Sequence, residues 1–223
     1  MIMTDSDVNA HAQLSGQKRI FMLGATGTIG RATLQALLDR GHEVTCFLRR
    51  KSDNAAKHKA MLNHPRLTLR YGDVTDTKSI SVDGFGDKRF DVVVSCLASR
   101  TGAPRDAWAI DYRAHHDALD VAKDRGVKHF ILLSALCVQK PRLEFQHAKL
   151  KFEKELIKSG LIYSIIRPTA FFKSLSGQVE RVKAGKPFLI FGDGRVTACK
   201  PISDRDLAAF IAMSLSDENY WNK

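Results

Sequence analysis

The sequence predicts a doubly wound α/β fold, a parallel sheet covered by helices on both faces, with a small C-terminal lobe added. Three observations predict it. Short, almost continuously apolar runs recur along the chain; a glycine-rich turn joins the first run to a helical stretch; and helical stretches end on glycine just before the next apolar run. Continuous apolar runs mark strands buried on both faces, which is the condition of a parallel sheet.

The first strand is Arg19 to Leu23, bounded by Gly24. After Gly24-Ala25-Thr26-Gly27-Thr28-Ile29-Gly30, the apolar positions Ala32, Leu34, Ala36, Leu37 and Leu38 predict a helix closed at Gly41. Further strands follow at Glu43–Leu48, Leu67–Tyr71, Phe90–Cys96, Phe130–Ser134 and Ile162–Ile166. Arg40-Gly41, Arg125-Gly126 and Ser159-Gly160 each stop a helix, because glycine accepts the left-handed conformation after the last turn without a Cβ clash. These repeated helix–glycine–strand junctions are βαβ units. Residues 1–17 are expected to be a disordered lead, 18–166 the nucleotide-binding domain, and 167–223 part of a substrate-binding lobe packed on it.

At 223 residues, 44% apolar and 26% charged, the chain can bury a sizeable core and is too apolar to be disordered. No run approaches the roughly 18 apolar residues of a spanning helix, which excludes an integral membrane protein and leaves peripheral contact open. The lead carries Asp5 and Asp7 and no apolar segment, so no signal peptide is expected and the cytoplasm is the expected compartment. The net charge of +11 is spread along the chain, and without a nucleic-acid motif it reads as a basic surface or an anionic small-molecule ligand. Cysteines at 46, 96, 137 and 199 have no metal-ligand spacing, so redox chemistry is assigned to a bound organic cofactor.

The glycine turn gains meaning from its context, directly after a strand and directly opening a helix. Gly24 permits the tight turn, Gly27 lets backbone approach a pyrophosphate, and Gly30 lets the helix lie against the sheet. The amides of Thr26, Thr28 and Ile29 belong to the same anion cradle at a helix N-terminus. About twenty residues on, an NAD enzyme carries an acid for the ribose 2′-hydroxyl. Here the chain has Arg49-Arg50-Lys51, which suits a 2′-phosphate, so NADPH is the predicted cofactor.

Gly-x-x-Gly-x-x-Gly, with Tyr71-Gly72-Asp73-Val74-Thr75-Asp76 after the third strand, resembles the short-chain dehydrogenase/reductase superfamily, in its extended and atypical branches. The resemblance implies a Rossmann-like fold, with Asp73 and Val74 at the adenine, Leu97, Ala98 and Ser99 along the cofactor, Pro168 beside it, and Ser134 in the catalytic region. The superfamily's Tyr-x-x-x-Lys pair stands here as Phe145-Gln146-His147-Ala148-Lys149: the lysine is present and the tyrosine is not. Phenylalanine has no proton to give, so a ketone is a poor substrate. A conjugated vinyl group, whose developing charge a large π-system delocalises, makes less demand on one acid. Its proton could come from Lys149, His147 or water.

The runs Ser134–Pro141, Glu144–Glu153, Arg167–Leu175, Phe191–Gly194 and Ala198–Ser203 resemble the NADPH-dependent 8-vinyl reductase family of chlorophyll and bacteriochlorophyll synthesis. That implies reduction of the vinyl group of a divinyl tetrapyrrole to ethyl, and a plastid stroma address in an alga or plant. Phe145 is a candidate substrate contact, Phe171 and Phe172 are candidate stacking surfaces for the macrocycle, and Lys173, Arg181 or Lys186 a candidate partner for its carboxylate. Family members continue beyond the helix at Asp204–Leu215, so the substrate lobe is expected to be partial. The rivals are a non-catalytic NADP(H) sensor and a reductase of another conjugated alkene. Replacing Lys149 with Ala is expected to lower turnover and leave the fold intact. His115, His116, Asp106, Asp111 and Asp117 read as helix surface, and Trp108 with Tyr112 as a helix–sheet contact.

Overall fold

The computed structural model describes residues 16–50, 64–190, 193 and 200–223. The predicted lead therefore falls, up to residue 15, outside the described residues, as does Lys51. Six strands, β1 (Arg19–Leu23), β2 (Glu43–Arg49), β3 (Leu67–Gly72), β4 (Val92–Ser95), β5 (His129–Leu133) and β6 (Ile162–Ile166), form one all-parallel sheet in the order 3-2-1-4-5-6. This is the Rossmann-like, doubly wound order, whose reversal between β1 and β4 leaves a crevice at the strand C-termini.

Alternation along each strand sends successive side chains to opposite faces. Ile20, Met22, Val44, Cys46 and Val94 pack with Leu34, Leu37 and Leu38 of α1 (Thr28–Asp39) on one face. Phe21, Phe47, Val93, Phe130 and Leu132 pack on the other, where the Phe21 ring centre lies 4.3 Å from that of Phe85, the two rings tilted by 41°. Both faces are covered, hence the continuous apolar strands. Helix α2 begins at Thr77–Ser79 and continues as a π-helix over Ile80–Phe85. Helix α3 is α-helical over Pro104–Ala107, π-helical over Trp108–Ala114 and α-helical again over His115–Asp124. Helix α4 (Glu144–Ile157) lies beside it, and its first turn is closed by Gln146 Oε1, which accepts the Arg142 and Leu143 amides at 2.6 and 3.0 Å.

The helix-ending glycines Gly41, Gly126 and Gly160 adopt φ of +84°, +74° and +82°. After β6 come α5 (Phe172–Lys183) and α6 (Asp204–Met213). Leu207, Ile211, Ala212 and Leu215 join the core of β1, β2 and α1, so α6 completes the cover of one sheet face. Residues 220–223 bind along β6: the Asn222 amide donates to the Tyr163 carbonyl at 2.6 Å, and Trp221 packs against His129.

Candidate functional site

The β1–α1 turn is shaped by backbone contacts. Gly24 has φ +77°, and a Cβ there would lie 2.5 Å from the backbone of Cys96 and Leu97 at the end of β4. A Cβ on Gly30 would lie 2.0 Å from the Gly24 carbonyl. Gly27 differs: nothing would approach its Cβ closer than 3.4 Å. Protein packing does not require glycine there; an outside group lying against the turn would. Gly27 is also the N-cap of α1, and no side chain caps that helix, which leaves its positive end to a ligand.

Two neighbouring hollows flank this turn and share Leu97 and Ala98 in their walls. One, about 120 Å³, is lined by Gly24, Thr26, Arg49, Val74, Arg100 and Ile110 among others. The other, about 550 Å³, is lined by Gly27, Thr28, Ile29, Gly30, Ser134, Lys149, Pro168 and Phe171, with Cys96 and Asp204. Together they form a groove across the strand C-termini, narrow at one end and wider at the other. A further hollow of about 630 Å³, lined by Arg19, Glu43, Arg66 and Lys88, lies at the strand N-termini, away from the glycine turn.

The fold thus brings most of the predicted residues together, and the exceptions are informative. Arg49 lines the small hollow, but Arg50 Nη2 is 2.8 Å from Asp83 Oδ2 of α2. Val74 lines it too, whereas the exposed Asp73 carboxylate accepts the Thr75 amide and hydroxyl at 2.8 and 2.7 Å. Those bonds hold the Asp73 carboxyl below the usual carboxylate range. Ser99 contributes its amide, which donates to Asp111 Oδ1 at 3.2 Å. Phe145 is half-buried beside Gly102, outside the wide hollow, and Phe172 is exposed. The side chain of Lys173 lies outside the described residues. His147 is exposed. Burial pushes the Cys96 thiol up to about 12.

Ser134 directly follows β5, and its amide donates to the Ile166 carbonyl at 2.8 Å. Its Oγ is buried without a hydrogen-bond partner. Beside it, Lys149 Nζ lies 2.9 Å from Asp111 Oδ1, an almost fully buried ion pair. This corrects three readings. Asp111 is 1% exposed and His115 0%, so neither is helix surface. His115 Nδ1 meets the Ile110 carbonyl at 2.9 Å and Nε2 meets Ser95 Oγ at 2.8 Å, and burial, with the Lys149 charge, lowers its pKa to about 4. Trp108 and Tyr112 contact α4 rather than the sheet: they bond Glu144 and Glu155 at 2.7 and 2.8 Å. The signal for Asp111 and His115 was present in the spacing, since Ala107, Asp111, Ala114, His115 and Ala118 follow the three-to-four-residue period of a buried stripe.

A family profile described as NAD(P)H-binding matches residues 24–218. The chain belongs to this NAD(P)H-binding family. Divinyl chlorophyllide a 8-vinyl-reductase, chloroplastic, of Arabidopsis thaliana is 50% identical over 217 residues, covering 92% of this chain and 51% of that relative. The protein of the same name in Cucumis sativus is 49% identical over 213 residues, with the same two coverages. The chain spans about half the length of these relatives. The crystal structure of Pal from Bacillus thuringiensis superposes with a TM-score of 0.79 at 18% identity, covering 92% of this chain and 75% of that one, a likeness of fold. In this NAD(P)H-binding chain no helix among the described residues is long and apolar enough to cross a membrane.

Proposed function

We propose that this chain is the NADPH-binding, catalytic portion of a reductase that converts the 8-vinyl group of a divinyl chlorophyllide or protochlorophyllide to ethyl. The observation that carries the reading is the 50% identity over 92% of the chain to a plant protein named for that reaction. Support for the cofactor in this groove comes from the Gly27 turn, where protein packing does not itself demand glycine, the start of α1 without a side-chain cap and the unpartnered Ser134 Oγ.

In this reading the turn amides hold the pyrophosphate, Arg49 holds the 2′-phosphate and Val74 borders the adenine. Lys149 binds the nicotinamide ribose, and Ser134 and Pro168 line the nicotinamide end. NADPH supplies the hydride for the vinyl group. With Phe145 in place of a proton donor and His147 exposed, Lys149 or a water beside it delivers the proton to the second vinyl carbon. Phe171, in the wall of the wide hollow, offers the macrocycle an apolar face, and residues 167–223 form the substrate side. Phe172 and Lys173 remain candidates for substrate contact. The compartment follows the source, stroma in a plant or alga and cytoplasm in a bacterium; contact with a membrane surface would be peripheral.

The test incubates the purified chain with NADPH and divinyl chlorophyllide. A blue-shifted Soret band is the expected result. Binding of NADPH without conversion would assign the chain to a sensor role, and absence of NADPH binding would overturn the reading.

A further inference from the structure

The hollow at the strand N-termini has no part in the reaction proposed above, and its floor is unlike the rest of the sheet. Thr45 and Thr68 are partners in register on β2 and β3, on the face that elsewhere carries Phe21 and Phe47. Where that face packs phenylalanine, these two present hydroxyls. Thr45 is 5% exposed, and its hydroxyl has no hydrogen-bond partner among the described residues. A buried hydroxyl left unpaired is costly, and a guest in the hollow would supply the partner. Thr68 Oγ1 accepts from Lys88 Nζ at 3.4 Å, which holds an ammonium over the same floor.

Arg66, just before β3, and Arg89, ahead of β4, extend the basic wall. Neither arginine nor Lys88 has a carboxylate at ion-pair distance among the described residues. Arg19, the fourth cation, donates to Asp91 at 3.0 and 3.3 Å and lies in the field of Glu43. Set against Asp87, the last carboxylate of the lining, three cations remain. Cations gather at this end of a parallel sheet partly because helices finish there, with partial negative charge on their last carbonyls. Other residues meet that need: Arg40 Nη1 donates to the Ala36 carbonyl at 3.4 Å and Arg125 Nη1 to the Gly86 carbonyl at 3.0 Å.

We propose that this hollow is a second anion site that takes a phosphate group. Lys88, Arg66 and Arg89 offset its charge, and the Thr45 hydroxyl donates to one of its oxygens. At about 630 Å³ the space admits a metabolite-sized ester. It lies at the opposite end of the strands from the cofactor groove, so both can be filled together.

The test is calorimetric titration of the chain with inorganic phosphate in saturating NADPH, which occupies the groove. Saturable binding with a Kd of about 1 mM or tighter is expected. Lys88→Gln and Arg66→Gln should each weaken it about tenfold, the scale of one charge-assisted contact. Thr45→Val should weaken it about threefold and unfold no earlier than wild type. All three should bind NADPH as wild type does, and Arg49→Ala, in the groove, should bind phosphate as wild type does. Sedimentation with phosphatidic acid vesicles separates two sources of the group. Retention that needs Lys88 identifies a lipid headgroup, and no retention identifies a soluble ester; the phosphate titration supports the site in either case. Heat that never saturates overturns the proposal. So does phosphate binding that survives both Lys88→Gln and Arg66→Gln, or that is lost in Arg49→Ala alone. Failure of wild type to bind NADPH would overturn the proposed function instead, and the same variants would still decide where phosphate sits.

Discussion

Arg50 Nη2 stands 2.8 Å from Asp83 Oδ2, and Asp83 also accepts the Ser79 hydroxyl at 2.7 Å. This exposed ion pair ties the end of β2 to the π segment of α2 and separates Arg50 from its neighbour Arg49, which lines the groove. Adjacent arginines therefore differ in task. Arg49→Ala is expected to weaken NADPH about tenfold or more relative to NADH, the scale of one charge-assisted phosphate contact. Arg50→Ala should change it by less than about threefold. Calorimetric titration with both nucleotides checks the pair, and equal losses would refute the division.

The glycines of the turn should separate binding from folding. Gly27→Ala meets only an ordinary contact, 3.4 Å from the Gly24 carbonyl, so the unfolding midpoint should barely move while NADPH affinity falls about tenfold or more. Gly30→Ala drives a methyl toward the Gly24 carbonyl, a 2.0 Å approach. That variant should lose on the order of 3 kcal/mol of stability with or without nucleotide, as overpacked sites do. Thermal unfolding with and without NADPH distinguishes the two.

Ser134 is buried with no partner for its hydroxyl. Removing an unsatisfied polar group is neutral or stabilising, so Ser134→Ala should unfold no earlier than wild type. In the proposed vinyl reduction its kcat should nonetheless fall about tenfold. Unchanged kinetics would remove the hydroxyl from the reaction.

Two buried histidines set an acid limit to stability. His115 and His129 are each lowered to about 4, chiefly by burial, from an unfolded value of 6.5. Between these values the unfolded chain binds more protons than the folded one, so stability is complete above about pH 6.5 and lost as pH falls toward 4. At 1.36 kcal/mol per pH unit, His115 alone accounts for about 3 kcal/mol. Asp73, Asp91 and Asp106, held below the ordinary carboxylate range mainly by hydrogen bonds that outweigh any burial, come into play at still lower pH. Denaturant titrations from pH 8 to 4 should show the loss already under way at pH 5.5; a flat profile to pH 5 would contradict the histidine account.

The ion pair also revises the expectation for Lys149→Ala. That change would leave the Asp111 carboxylate buried and unpaired, a defect of about 3–5 kcal/mol. Lost turnover must therefore be read beside an unfolding curve, and is expected together with a lowered midpoint.

What the sequence determined by itself was whatever local rules govern. The strands between Arg19 and Ile166 were legible because both their faces are buried, the helix ends because glycine alone takes the left-handed turn cheaply, and the cradle at Gly24–Gly30 because turn and helix start are adjacent in the chain. Tertiary structure decided which charged side chains reach the groove. The pairing of Arg50 with Asp83 spans 33 residues, that of Lys149 with Asp111 spans 38, and Arg100 enters from a loop with no motif. Long-range ion pairs carry no period or spacing in sequence, since they depend on how two elements cross. Only folding could show that Asp111, in phase with a stripe of buried alanines, is where a charge sits.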